Sequence, residues 1–165
     1  MKVILHTGSN LGKRAENLAT AVQHIEKQVG SILKSSPIYE TAAWGIENQA
    51  DFLNQAIIIE TSLPAEILLQ KVLAIEEEMG RIRKIKWGER LIDIDILFYE
   101  SEVIDLPHLT IPHPFLQERN FVLAPLKDIA AEWIHPIFEK SCMELFDASK
   151  DPLEAKLWTK PENPY

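Results

Sequence analysis

GRIRKIKWGERLIDIDILFY (Gly80–Tyr99) is the stretch whose reading decides the fold. Its first half is basic, with Arg81, Arg83, Lys84, Lys86 and Arg90 set around Trp87 and Gly88. Its second half is apolar except for Asp93 and Asp95. Successive side chains of a strand point to opposite faces, so this alternation predicts a strand. Ile92, Ile94, Ile96 and Phe98 are expected on one face, Asp93 and Asp95 on the other. The two carboxylates then stand roughly 7 Å apart at Cα on a rigid element. Hard oxygen donors at that spacing suit Mg²⁺. Arginine forks and lysine charge beside them suit a polyphosphate. Taken singly, a basic run reads more readily as a solvated face, and two acidic residues as a strand's wet side. Together they favour a site, because two like charges inside a buried strand are costly without a cation or partner.

The segments before this stretch fall into a regular order. Leu68, Val72, Ile75 and Met79 recur at helical spacing, Pro64 suits a first helical turn, and Gly80 ends the run. Glu76, Glu77 and Glu78 crowd the last turn, where the helix dipole disfavours negative charge. At least one of them is expected to meet the arginines that follow. Phe52 to Thr61 alternates as a strand, with Phe52, Asn54, Ala56 and Ile58 on one face. Phe52 beside Asn54 fits two readings. One is an aromatic platform and an amide that together bind a nucleobase-like ring; the other is a core ring and a strand-end cap. Ala42 to Asp51 is a loop, and Ser31 to Thr41 a strand in which Pro37 signals an edge or bulge. Lys13 to Val29 is a helix, and Lys2 to His6 a short buried strand that stops at the turn cluster Thr7-Gly8-Ser9-Asn10. Gly8 and Gly12 read as turn geometry, since no G-x-x-x-x-G-K-[ST] motif is present.

The order β-α-β-β-α-β over residues 2–98 predicts an α+β, ferredoxin-like fold, an antiparallel sheet with helices packed on it. A C-terminal extension of short helices and strands is expected to follow. Leu109 to Pro114 is stiffened by two prolines, and Phe115 to Asn120 makes one helical turn. Phe121 to Ile129 reads as a short strand or apolar turn, then a small helix. Ser141 and Glu144 form a capping box. From about 150 to 165 the chain is polar and proline-rich, which predicts a loosely ordered tail on a single domain spanning 1–165.

Composition narrows the partners. The chain has 165 residues, 46% hydrophobic and 25% charged, as expected for one globular domain. No apolar run approaches membrane length, so no membrane partner is expected. The single cysteine, Cys142, excludes an internal disulfide framework and a cysteine-rich zinc site. These features point to the cytoplasm. A net charge of −8 argues against nucleic acid. Yet 5 of the 17 basic residues fall within positions 81 to 90, a local charge suited to a small anionic ligand.

Several short segments carry a resemblance. They are GSNLG at 8–12, YET at 39–41, Phe52-Leu53-Asn54, GRIR at 80–83, WGERLIDIDIL at 87–97, LTIPHP at 109–114 and RNFVL at 119–123. On these residues the chain resembles the 6-hydroxymethyl-7,8-dihydropterin pyrophosphokinases over nearly its whole length. The resemblance implies transfer of the pyrophosphoryl group of ATP to the pterin hydroxymethyl oxygen, with release of AMP, in tetrahydrofolate biosynthesis. By the same resemblance Asp93 and Asp95 hold two Mg²⁺ ions and, with Arg81 and Arg90, serve catalysis. Glu76, Arg83, Lys86, Trp87, Ile96, Thr110, His113 and Arg119 fall on positions around ATP. Thr41, Ala42, Ala43, Trp44, Phe52, Asn54 and Phe121 fall on positions around the pterin, with Phe52 and Phe121 sandwiching its ring. Residues 81–90 match a mobile loop that closes over both substrates. Lys86 stands where the family usually has arginine, Glu89 where it has proline, and Ala42-Ala43 replace a more proline-rich segment. His108 occupies a position that is often basic. The expected partners are ATP and the dihydropterin alone, bound by a monomer. The competing reading is a ferredoxin-like regulatory domain that binds a small molecule without catalysis.

Overall fold

In the computed structural model, which describes residues 1–43, 48–80 and 91–161, the sheet is built around β1 (Lys2–Ser9). β1 pairs antiparallel with β4 (Phe52–Glu60) on one side and with β5 (Asp93–Tyr99) on the other. Beyond β4 lie β2 (Ser31–Ser35) and β3 (Tyr39–Thr41), two pieces of the strand expected over 31–41. The break falls at Ser36-Pro37. Ser36 leaves the ladder pattern there, its Oγ accepting from the Ala56 N–H at 3.0 Å and its own N–H donating to the Ala56 carbonyl at 2.9 Å. α1 (Arg14–Gln28) joins β1 to β2, and α2 (Ala65–Glu78) joins β4 to β5. This is the predicted ferredoxin-like order, with neighbours β5-β1-β4 and then β2 and β3.

Helices cover both faces of the sheet. Leu18, Ala21 and Ile25 of α1 and Leu68, Val72 and Ile75 of α2 bury against Val3, Leu5, Leu53, Ile57, Ile59, Ile94 and Ile96. The other face carries Ile4, Ile58, Leu97 and Phe98. It packs under α3 (Asn120–Ala130) and α4 (Cys142–Asp147), preceded by a single 3-10 turn at Leu116–Glu118. A hairpin of β6 (Ile104–Leu106) and β7 (Leu109–Ile111) links β5 to this layer, and the His113 N–H donates to the Leu97 carbonyl at 3.0 Å. No described helix is long and apolar enough to cross a membrane.

Four expectations need correction. Phe98 does not share a face with Ile94 and Ile96. The β1–β5 register slips, so that Ile4 pairs with Phe98 but Leu5 with Ile96, and the extra residue turns Phe98 to the opposite core. β1 does not stop at His6 but continues to Ser9, because Thr7, Gly8 and Ser9 find ladder partners in β4. Residues 121–129 are not a strand or turn followed by a small helix. They lie in one helix, α3, whose Val122, Leu123, Leu126 and Ala130 make an apolar stripe that outweighs the internal Pro125. The segment expected to be a loose tail from about 150 is tied down over 151–158. β8 (Lys156–Leu157) pairs with β3, Trp158 packs on the first core, and Asn120 Nδ2 donates to the carbonyls of Asp151 and Leu153.

Candidate active site

α3 and α4 leave one end of the second sheet face open, where β4 and β5 begin and β1 ends. The pairing register assembles the site there. Gly8 stands opposite Asn54 on one side and Asp93 on the other, and His6 stands opposite Ala56 and Asp95. Because Asp93 and Asp95 are two apart, strand geometry sends both to this open face. Asp95 is exposed and Asp93 half-buried.

A cavity opens over these strands. Gly8, Asn54 and Thr41 line its polar side, Phe52 and Phe121 its aromatic walls. Ala42, Arg119, His6, Asp93 and Asp95 complete it. Asn54 is buried and donates through Nδ2 to Thr41 Oγ1 at 2.9 Å. Gly8 is needed for close approach: a Cβ there would lie 3.2 Å from Asn54 Oδ1 and 3.7 Å from the Phe52 ring. Phe121 sits at the start of α3, and the Arg119 guanidinium lies 5.7 Å from its ring centroid and 5.0 Å from that of Phe115. His6 Nε2 lies 3.1 Å from the Phe121 carbonyl oxygen. Burial pushes the His6 imidazole down to about 4, with the Phe121 hydrogen bond and the Asp93 charge opposing and Arg119 adding to the fall.

A second, larger cleft lies on the other side of the same two aspartates. Glu76, Asp93, Asp95, Ile96, Thr110 and His113 line it, with Leu69 and Leu73 as an apolar wall and His108 at its rim. Glu76 is a buried carboxylate on α2 whose Oε1 accepts the Ile94 N–H at 2.7 Å, which pins the end of α2 to β5 between the aspartates. The His113 imidazole is held below its ordinary value by burial, against the raising effect of Asp95. Its Nδ1 accepts the Phe115 N–H at 3.3 Å. His108 Nε2 lies 3.5 Å from Glu66 Oε2.

The structure therefore gathers Thr41, Ala42, Phe52, Asn54 and Phe121 about one cavity, and Glu76, Ile96, Thr110 and His113 about the other. Arg119, expected beside the nucleotide, lines the first cavity next to the shared aspartates, because it immediately precedes the α3 turn that carries Phe121. Ala43 is half-buried next to Ala42 and does not line either cavity. Trp44, Arg81, Arg83, Lys86, Trp87 and Arg90 lie outside the described residues. The expected meeting of the glutamates with the arginines falls there too. His6, Gly8, Leu69 and Leu73 were not among the expected site residues. Extending the strand alternation from Ile4 through His6 to Gly8 is the signal that places two of them on the site face.

The sequence profile of the 7,8-dihydro-6-hydroxymethylpterin-pyrophosphokinase (HPPK) family matches residues 4–131. The chain belongs to this family. It is 45% identical over 142 residues to a 2-amino-4-hydroxy-6-hydroxymethyldihydropteridine pyrophosphokinase of Aquifex aeolicus (strain VF5), covering 86% of this chain and 88% of that one. A protein of the same name from Bacillus subtilis (strain 168) is 44% identical over 126 residues, covering 76% and 75%. In structure the chain is similar to an HPPK-DHPS crystallised in complex with substrates, with a TM-score of 0.72 at 19% identity. It is also similar to wild-type Plasmodium falciparum HPPK-DHPS with pteroate, with a TM-score of 0.72 at 17% identity. Both likenesses cover 88% of this chain but only 43% and 42% of those longer chains, and at such identity they speak for the fold. Membership of the HPPK family leaves the reading as a binding domain without catalysis unsupported.

Proposed function

We propose that this chain transfers the pyrophosphoryl group of ATP to the hydroxymethyl oxygen of 6-hydroxymethyl-7,8-dihydropterin, releasing AMP, in tetrahydrofolate biosynthesis. The observation that carries the reading is that two cavities of different chemistry share one border, Asp93 and Asp95. One has aromatic walls and an amide–hydroxyl pair, as a flat heterocycle needs. The other is a larger, more open cleft for the nucleotide.

In this reading Phe52 and Phe121 stack on the pterin ring, and Asn54 with Thr41 reads its polar edge. One Nδ2 proton of Asn54 goes to Thr41, leaving its second N–H as a donor and its Oδ1 as an acceptor for the polar edge of the ring. Ala42 borders the same ring. Glu76, Ile96, Thr110 and His113 border the nucleotide, and Arg119 reaches the phosphates from the pterin side. The hydroxymethyl oxygen has to meet the β-phosphorus in line with the departing AMP oxygen, and such transfer is mainly positioning and charge stabilisation.

Asp93 and Asp95 are the residues that would hold Mg²⁺, two ions in our reading. The donor set fits. Among the described residues no group of three or more His, Cys, Asp or Glu gathers. Mg²⁺ keeps several waters and binds through one or two carboxylates plus substrate phosphates. When bound, such ions neutralise phosphate charge and orient the attacking and leaving oxygens. In this reading Arg81, Arg83, Lys86 and Arg90 supply positive charge to the phosphates and, with Trp87, keep out water that would otherwise hydrolyse ATP. The buried lone thiol of Cys142, pushed up to about 12 by burial, suits work in the reducing cytoplasm.

The test is product analysis with the purified chain, ATP, the dihydropterin and Mg²⁺. AMP and the pterin diphosphate are expected in equal amounts, with no AMP when the pterin is omitted. Formation of ADP or inorganic phosphate instead would overturn the reading.

A further inference from the structure

α3 carries a defect at the point where it meets the site. In a helix the carbonyl of residue i accepts from the N–H of residue i+4. For Phe121 that residue is Pro125, which has no N–H to give. A helix carbonyl facing a packed sheet needs a donor from elsewhere. His6 supplies it: Nε2 lies 3.1 Å from the Phe121 oxygen, across 115 residues of sequence. A carbonyl oxygen only accepts, so Nε2 carries the proton, which fixes the ring in one tautomer with Nδ1 bare.

The contact has a consequence for the cavity. His6 is 3% exposed on the central strand, whose backbone is paired on both sides, so its ring has a rigid base. Its centroid lies 5.8 Å from that of Phe121, at 54°. Ring and carbonyl of Phe121 are thus both held by one side chain. Phe121 and His6 line the same cavity as Phe52. The separation of the Phe121 ring from Phe52 sets the slot into which a flat heterocycle must slide.

We propose that His6 is a positioning residue for the pterin: its Nε2–H takes the place of the N–H that Pro125 lacks and so holds the Phe121 ring at stacking distance. The inference rests on the pyrophosphokinase reading for the identity of the heterocycle. The His6–Phe121–Pro125 arrangement itself stands on the geometry.

The experiment is a set of four variants, His6→Leu, His6→Gln, Pro125→Ala and the double variant His6→Leu/Pro125→Ala. Equilibrium binding of the dihydropterin and of ATP is measured separately for each, beside thermal unfolding. Losing a buried carbonyl's donor is expected to weaken pterin binding roughly tenfold in His6→Leu. ATP binding should change less than about twofold in that variant. His6→Gln keeps an N–H at similar reach and should bind the pterin much as wild type does. Pro125→Ala restores a helical N–H to the Phe121 carbonyl, so the double variant should recover pterin binding relative to His6→Leu. Equal losses for pterin and ATP, or no recovery in either the Gln or the double variant, would overturn the proposal. Nitrogen-15 NMR of the wild-type imidazole reads the tautomer without any ligand. Protonation at Nε2 is expected, and protonation at Nδ1 would overturn the proposal. A wild-type protein that shows the Nε2–H tautomer yet binds no pterin would instead count against the functional reading.

Discussion

Asp95 and Asp93 differ in surroundings though they share a face. Asp95 is exposed and Asp93 half-buried beside Gly8. Asp95→Ala removes no buried packing, so the fold should persist while turnover falls by about 100-fold or more, the scale of losing a charge-stabilising group. Circular dichroism and the AMP assay read the two effects apart. Near-normal turnover in a folded Asp95→Ala protein would remove this carboxylate from the chemistry. The pair was legible because parity along a strand needs no knowledge of the fold. His6 was not, because its role depends on facing Asp95 across one ladder and Phe121 across the layer above. Phe98 was misread for a related reason. A bulge shifts parity by one, and nothing in an all-apolar run marks where it falls.

At the scale of elements, the helices and long strands were legible from periodicity, and their junctions were not. Gly8 looked like a turn glycine but is a strand residue opposite Asn54. Gly30 follows α1, whose last cap residue is Val29, in the place that a helix-ending glycine usually takes. Its constraint is nonetheless steric. A Cβ at Gly30 would lie 2.2 Å from the Glu60 carbonyl oxygen and 3.0 Å from Thr61 Cβ. Glu60 ends β4 and Thr61 follows it, held in place by its hydroxyl donating to the Val29 carbonyl at 2.7 Å. Backbone cannot step aside as a flexible side chain can. Gly30→Ala gains about 0.4–1 kcal/mol from a less flexible unfolded chain, but overpacking costs about 1–3 kcal/mol, and the second effect wins. Urea denaturation should therefore show net destabilisation with an unchanged m-value. Equal or greater stability for Gly30→Ala would mean that the α1–β2 corner can open without cost.

For the whole molecule, burying three imidazoles sets a limit on the acid side. His6 is pushed down to about 4 by burial, and burial also lowers His113 and His135. His135 lies away from the site, beneath Phe98 and Phe138 at 5.7 and 4.4 Å between ring centroids. Its Nδ1 accepts the N–H groups of Ile137 and Phe138 at 3.1 and 3.2 Å, an arrangement that only the neutral ring allows. The sign follows from proton counting. The unfolded chain takes up protons near the ordinary histidine value of about 6.5, while the folded protein resists until lower pH. Between these limits the unfolded state binds more protons, so stability falls as pH drops and is indifferent to these groups above about 7. For His6 alone the loss at pH 4 is on the order of 3 kcal/mol, a large part of a typical domain's stability. His135 offers the clean test because it touches no substrate. Asn at 135 keeps an acceptor near the position of Nδ1 but cannot titrate. His135→Asn loses ring packing on Phe98 and Phe138, so it should be less stable than wild type at pH 7.5. Its unfolding free energy should then fall less steeply between pH 6.5 and pH 4.5, and the two curves should converge. Denaturant titrations at several pH values measure this slope. Parallel curves for the two proteins would show that His135 protonates as readily in the folded state as in the unfolded one, and that its buried neutral form contributes nothing to the acid limit.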